Sequence, residues 1–321
     1  MAEWDRVRIN VDGAEADAQA PVIISASRST DIPAFYSDWL VNRVRRGFVK
    51  WTNPFNGVPL YVSFEKTRLF VFWTKNPKPM LDKLDFFDDK GFNYYFQFTL
   101  NDYDAERLEP GAPPLEERIE TFITLSQRLG KERVVWRFDP LLLTETLSVT
   151  DLLKKAEKVG NALAPYTARL VFSFCDISAY AKVAKNLAGA GVQAREFSVE
   201  EMLEFAKGLA GLNQRWRLKL GTCAEKVDLA SYGVEHNRCV DDRLIASLFK
   251  HDRLLMEFLG VGAEPTQADL FGTQPVKKRR SLKDPGQRAA CGCMVSKDIG
   301  EYNTCPHLCV YCYAKQWKIR K

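Results

Sequence analysis

"YYFQFTLNDYDAERLEPGAPPLEERIETFITLSQRLGKERVVWRFDP", residues 94–140, reads as one strand–helix–strand unit. Residues 94–100 are almost all aromatic or apolar, the composition of a strand covered on both faces. After a polar, Pro-rich loop, Leu115, Ile119, Phe122 and Leu129 recur at helical spacing along one face. Gly130 supplies a C-cap, and "RVVWRF" (133–138) begins a second buried strand. A helix-length crossover between two strands of this type implies parallel pairing.

The same alternation extends in both directions. Further strands are expected at "VIISAS" (22–27), "LFVFWT" (69–74), "RLVFSF" (169–174) and "RLKLGTC" (217–223). "SVEEMLEFAKGLAG" opens a helix with Ser198 and Glu201 at capping-box spacing. "DRLIASLFKHDRLLMEFLG" continues the helical pattern around residue 250. No G-x-G-x-x-G follows a strand and no P-loop is present, which argues against a nucleotide-binding doubly wound sheet. Polar residues instead gather just beyond successive strands: Ser27, Arg28, Thr30 and Asp31; Thr74, Lys75 and Asn76; Thr99 and Asn101; Arg137 and Asp139; Asp176; Cys223 and Glu225. Active sites of β/α barrels collect at that rim. The expected fold is therefore α/β, a partial or full parallel β/α barrel of TIM type.

Four regions are expected: an N-terminal extension (1–21), the barrel body (22–263), a polar linker or surface loop (264–289) and a cysteine-rich segment (290–321). The 321 residues suffice for one large α/β domain, and nearly half are hydrophobic, a globular composition. No apolar run approaches the roughly 18 residues of a membrane span, and the polar N-terminus lacks a signal core. The expectation is a cytoplasmic protein without a membrane partner. A net charge of +5 permits a nucleic-acid partner without demanding one. The dense basic run "KKRR" (277–280) reads as part of a solvated linker.

Eight cysteines in a cytoplasmic chain point to metal or redox chemistry rather than disulfides. Three stand in "YNTCPHLCVYCYAK" (302–315): Cys305, Cys309 and Cys312, spaced C-x3-C-x2-C with Tyr311 before the last. Such a short loop can turn three sulfurs onto one ion or cluster. Zinc ordinarily takes four ligands, with His307 or Cys293 as the available fourth. A 4Fe–4S cluster has four corners, so three cysteines leave one iron open. Cys175, in "VFSFCD", reads as a buried core thiol.

"CPHLCVYCYA" resembles the signature of the radical S-adenosylmethionine superfamily, in the form of its spore-photoproduct-lyase-like branch. Residues 98–130 resemble that branch's strand, Glu-Pro-Gly loop and helix, and "SRSTDIPAFY" (27–36) resembles its post-strand Thr-Asp-Pro-Tyr-type turn. The whole chain also resembles a widespread bacterial family classed as a domain of unknown function. In the superfamily the cysteines follow the first strand; here they come last, which implies a circular permutation with "CMVSKDIGEYN" (293–303) supplying the first strand. The resemblance implies a 4Fe–4S cluster on Cys305, Cys309 and Cys312 whose open iron chelates S-adenosyl-L-methionine. Reductive cleavage then gives a 5′-deoxyadenosyl radical, with electrons from a flavodoxin- or ferredoxin-type donor. It also implies that Tyr311 lies against the adenine, with Ser27, Arg28, Thr30, Asp31, Gln97, Thr99, Arg137 and Asp139 as candidates for the ribose and methionine ends. Cys223, Cys239, Cys291 and Cys293 match further cysteines of the family pattern and would hold a second iron–sulfur cluster or zinc. The competing readings are a zinc-binding module, associated with nucleic acid, and an iron–sulfur electron-transfer protein.

Overall fold

The computed structural model describes residues 4–261, 282–288 and 290–315. Most of the expected linker, including Lys277–Arg280, lies outside the described residues. The body is built on eight strands in one parallel sheet: β1 (Ile23–Ala26), β2 (Leu69–Thr74), β3 (Asn93–Thr99), β4 (Val134–Leu141), β5 (Arg169–Phe174), β6 (Lys219–Thr222), β7 (Val234–His236) and β8 (Lys297–Asp298). Their spatial order is β7-β6-β5-β4-β3-β2-β1-β8. Chain order and spatial order thus agree except at β8, the last strand, which pairs with the first: Lys297 lies opposite Ile24 and Asp298 opposite Ser25. Between the strands run α1 (Ser37–Arg46), α2 (Leu115–Leu129), α3 (Val149–Leu163), α4 (Ala181–Gly189) and α5 (Val199–Trp216). Ser198 and Glu201 form the capping box expected at the start of α5.

Period-two alternation divides the sheet into two faces. Phe70, Phe72, Phe96, Phe98, Trp136 and Phe172 pack in the cluster that includes Phe122 of α2, Leu152 of α3 and Phe205 of α5. Leu69, Val71, Tyr95, Val135 and Val171 point the other way and pack with Val240, Leu244, Ile245 and Met294. That second face changes character along the strands. Leu69 and Val71 give way to Trp73, Tyr95 to Gln97 and Thr99, and Val135 to Arg137 and Asp139. Apolar residues seal one end and polar residues crowd the C-terminal end, as at the mouth of a β/α barrel.

The structure adds three features that the sequence left open. Edge strands β7 and β8 form no ladder with each other among the described residues, so the sheet stays open where a full barrel would close. Within the N-terminal extension, Arg6–Val11 and Ala14–Gln19 form an antiparallel hairpin, extended by Pro59–Ser63 and Phe48–Thr52 into a second, four-stranded sheet. Finally, the helical stretch around residue 250 is two helices, Asp242–Leu248 and Arg253–Leu259. Asp252 divides them by accepting from the Leu255 backbone N–H as N-cap while pairing with Arg68.

Candidate functional site

The last segment forms a loop laid over the C-terminal end of the sheet, and it is fastened from several sides. Ile299 N–H donates to Ser25 O (3.2 Å) and Val310 N–H to Leu108 O (3.0 Å). Gly111 N–H donates to His307 O (2.8 Å), Tyr36 Oη to Thr304 O (2.6 Å) and Tyr313 Oη to Arg28 O (3.0 Å). Asn186 Nδ2 on α4 reaches both Cys312 O and Lys315 O, and Lys315 Nζ donates to Cys305 O. Any Cβ on Gly111 would meet Pro306 O and His307 O, so only glycine lets the two loops touch.

Cys305, Cys309 and Cys312 are all free thiols, Cys309 buried and the others half-buried. Burial pushes all three up, and an ionised Cys312 or Cys305 would raise Cys309 further. The three sulfurs therefore share one electrostatic neighbourhood. Among the described residues no three His, Cys, Asp or Glu side chains gather closely enough to hold a single metal ion. A four-iron cubane takes one thiolate at each of separate corners, so its ligands stand wider apart than those of one ion. A donor set of three protonated thiols in one loop, one buried and two half-buried, fits such a cluster, whose binding would release their protons. His307 does not fit a fourth ligand. Its Nε2 lies 2.8 Å from Asp31 Oδ2 and its Nδ1 3.2 Å from Gly111 O.

Beside Cys309 sits a buried charge network. Lys75 Nζ pairs with Glu109 Oε1 (2.7 Å) and contacts Tyr311 Oη (3.1 Å). Glu109 also accepts from Tyr311 Oη, Asn101 Nδ2 and Arg118 Nη1. Burial alone would raise the Glu109 carboxyl; Lys75 and Arg118 outweigh it and hold it down to about 2. The Tyr311 ring is buried with Lys75 against it and Tyr103 at its edge.

Cys223, Cys239, Cys291 and Cys293, from three separate stretches, come together at the other side of the mouth. Cys223 and Cys239 sulfurs are 3.4 Å apart, and Cys239 N–H donates to Cys293 Sγ (3.2 Å). Cys239 and Cys291 beside it lower the Cys293 thiol, while Cys223 and then Cys293 raise that of Cys239, and Cys293 raises that of Cys291. Arg137 Nη1 donates to Cys239 Sγ (3.0 Å). Four thiols with a guanidinium beside them fit a thiolate-bound cluster, since cationic neighbours favour ionised sulfur.

The remaining expected residues take varied places. Ser27 Oγ and the Arg28 N–H both donate to Asp298. Asp31 caps Ala34 and accepts from the Lys75 N–H. Gln97 donates to Cys239 O and accepts from Arg137, while Arg137 pairs with Asp139. Asp139 also accepts from Ser173 Oγ. Thr30 is buried with an unpartnered hydroxyl, and Thr99 is half-buried at the end of β3. Cys175 is a core thiol, raised by burial to about 12. Sequence reasoning missed the parts played by Glu109 and Arg118, whereas Glu225 stands among the polar residues it expected at the rim. Glu225 is buried on the Phe174 N–H, and burial raises its carboxyl to about 7. The signal for Glu109 was present in "RLEPGAPP", but nothing local announces a pairing with Lys75.

Two surface hollows, of about 520 and 470 Å³, are lined by residues 246–261 and by residues 9–92, and neither includes a cysteine. No curated protein and no solved structure matches the chain. Residues 23–314, nearly all of the sheet, the thiol loop and the four-thiol cluster, match one family, and the chain belongs to it: Domain of unknown function (DUF1848).

Proposed function

We propose that this protein is a radical S-adenosylmethionine enzyme in a circularly permuted β/α partial barrel. Cys305, Cys309 and Cys312 would hold a 4Fe–4S cluster with one open iron, and Cys223, Cys239, Cys291 and Cys293 a second iron–sulfur cluster. The single observation that carries the reading is the placement of β8. It is last in the chain yet lies beside β1, and it delivers the C-x3-C-x2-C loop to the C-terminal mouth of the sheet. That is where the superfamily resemblance expects the loop after a first strand. When bound, the cluster and S-adenosylmethionine supply one electron and a cleavable sulfonium C–S bond, yielding methionine and a 5′-deoxyadenosyl radical.

The chain's own residues do the rest. Lys75 sets a buried positive charge beside Cys309, favouring ionised sulfur. Glu109 holds Lys75 and Tyr311 in place beneath the loop. Asn186 and Lys315 bind backbone carbonyls of the ligand cysteines and so fix the loop's course. Leu108, Val310 and Ile299 close the loop's underside against water.

Anaerobic purification tests the reading. The expected sample is brown, carries about four iron atoms per loop cluster and about eight with both sets, and forms 5′-deoxyadenosine from S-adenosylmethionine with dithionite. Substituting Ala for Cys305, Cys309 and Cys312 should remove about half the iron and all of the product. Colourless protein with stoichiometric zinc would sink the proposal. Brown protein that leaves S-adenosylmethionine intact would favour electron transfer.

A further inference from the structure

Two donor-only groups on the polar end of the inner face lack acceptors. The Arg28 guanidinium carbon stands 5.1 Å from the centre of the Trp73 ring, and that of Arg137 5.2 Å from the same ring. Arg137 is fully engaged by Asp139, Gln97 and the Cys239 sulfur. Arg28 is not: its Nη2 is buried with no hydrogen-bond partner, and so is Trp73 Nε1. Asp298, the carboxylate opposite Ser25 in the β1–β8 pairing, is consumed by Ser25, Ser27, the Arg28 N–H and the Gly300 N–H. Burial opposes the Arg28 charge, and Cys293, Asp298 and Cys239 outweigh it from a distance, yet no sulfur or carboxylate reaches Nη2.

A guanidinium and an indole N–H can only donate. A buried cation and a buried N–H left without an acceptor are both costly. What suits the pair is therefore an acceptor bearing negative charge. Thr30 Oγ1, two residues along from Arg28 and likewise unpartnered, adds a third orphan group.

We propose that Arg28 Nη2 and Trp73 Nε1 bind an anionic group, a carboxylate or a phosphate, carried by the substrate. The word substrate rests on the proposed function; the anion site does not. In that function the carboxylate of S-adenosylmethionine would be taken up by the cluster that Cys305, Cys309 and Cys312 would hold. Arg28 shares the Trp73 ring with Arg137, which binds Cys239 of the opposite thiol set, so the anion it takes belongs to a second molecule.

The test uses anaerobically purified full-length protein, with iron measured on each preparation. Inorganic phosphate, and separately acetate, is titrated at constant ionic strength while melting temperature and tryptophan fluorescence are followed. Saturable binding is expected for at least one probe. Trp73→Phe keeps the ring and deletes only the N–H, and should weaken binding about tenfold; Arg28→Gln should weaken it further, with Arg28→Lys between. Absence of saturable binding, or unchanged affinity in both Trp73→Phe and Arg28→Gln, overturns the site. Repeating the titration with saturating S-adenosylmethionine should leave the affinity unchanged; competition would give the site to the cofactor's carboxylate and overturn the substrate assignment. Iron-free protein that still binds the probe would end the radical reading and keep the anion site. Iron-loaded protein that makes 5′-deoxyadenosine but ignores both probes would do the reverse.

Discussion

Glu109 holds the balance of charge beneath the thiol loop. It is 1% exposed and faces two cations, Lys75 and Arg118; Arg118 has a second carboxylate in Asp104, whereas Lys75 has no other ion-pair partner among the described residues. Glu109→Gln would strand the buried ammonium, and breaking such a pair costs about 3–5 kcal/mol, measurable by urea unfolding. The wild-type pH dependence has a definite sign. The folded-state carboxyl is held down to about 2, below its ordinary 4.5. Its contribution, on the order of 3 kcal/mol from the size of that shift, is present above pH 4.5 and lost as pH falls through 2. The Gln variant should lack this dependence, so the two stability curves converge toward pH 2. Parallel curves would show that Glu109 is not the titrating group.

At the scale of elements, the thiol loop is held by a close approach and by two side-chain tethers. Gly111→Ala would push its methyl into the Pro306 and His307 carbonyls, where overpacking costs about 1–3 kcal/mol. Asn186→Ala removes both tethers from α4 to Cys312 and Lys315, at about 1 kcal/mol each. Both variants should leave far-UV circular dichroism unchanged while raising the alkylation rate of the three loop thiols. Alkylation at the wild-type rate would mean the loop is positioned by something else. The tethers matter because the loop makes few regular backbone ladders of its own: β8 is two residues long.

For the whole molecule, the tail is part of the core. Ile299, Cys309, Val310 and Tyr311 are buried within the same apolar cluster as the central strands. A chain ending at Arg288 would bare the β1 edge and open that cluster, and exposed parallel edges invite aggregation. Such a truncation should be insoluble or melt far below the full chain. In the intact protein the Ile299 and Val310 amides, bonded to Ser25 O and Leu108 O, should exchange at rates set by global unfolding. Fast exchange at both would show that the tail is an appendage. Among the described residues no helix is long and apolar enough to cross a membrane.

The strands at 69–74 and 169–174 begin and end where the sequence places them, and α2 and the α5 capping box likewise. Their information is local: continuous apolar runs, a 3.6-residue period, a Ser–Glu spacing. The C-x3-C-x2-C loop was legible for the same reason, its three sulfurs lying within eight residues. Other features depend on contacts between distant stretches, which no window of sequence contains. Asp252 splits an apparently continuous helix because its carboxylate meets Arg68, far back in the chain. Residues 6–19 become a hairpin whose second strand is covered by the strand at 59–63, far along the chain. Cys223, Cys239, Cys291 and Cys293 meet, and β8 lies against β1, only once the sheet has formed. The sequence by itself determined the units and the chemical types of their ends; the tertiary structure decided which ends face one another, because parallel pairing is set by burial summed over the whole sheet.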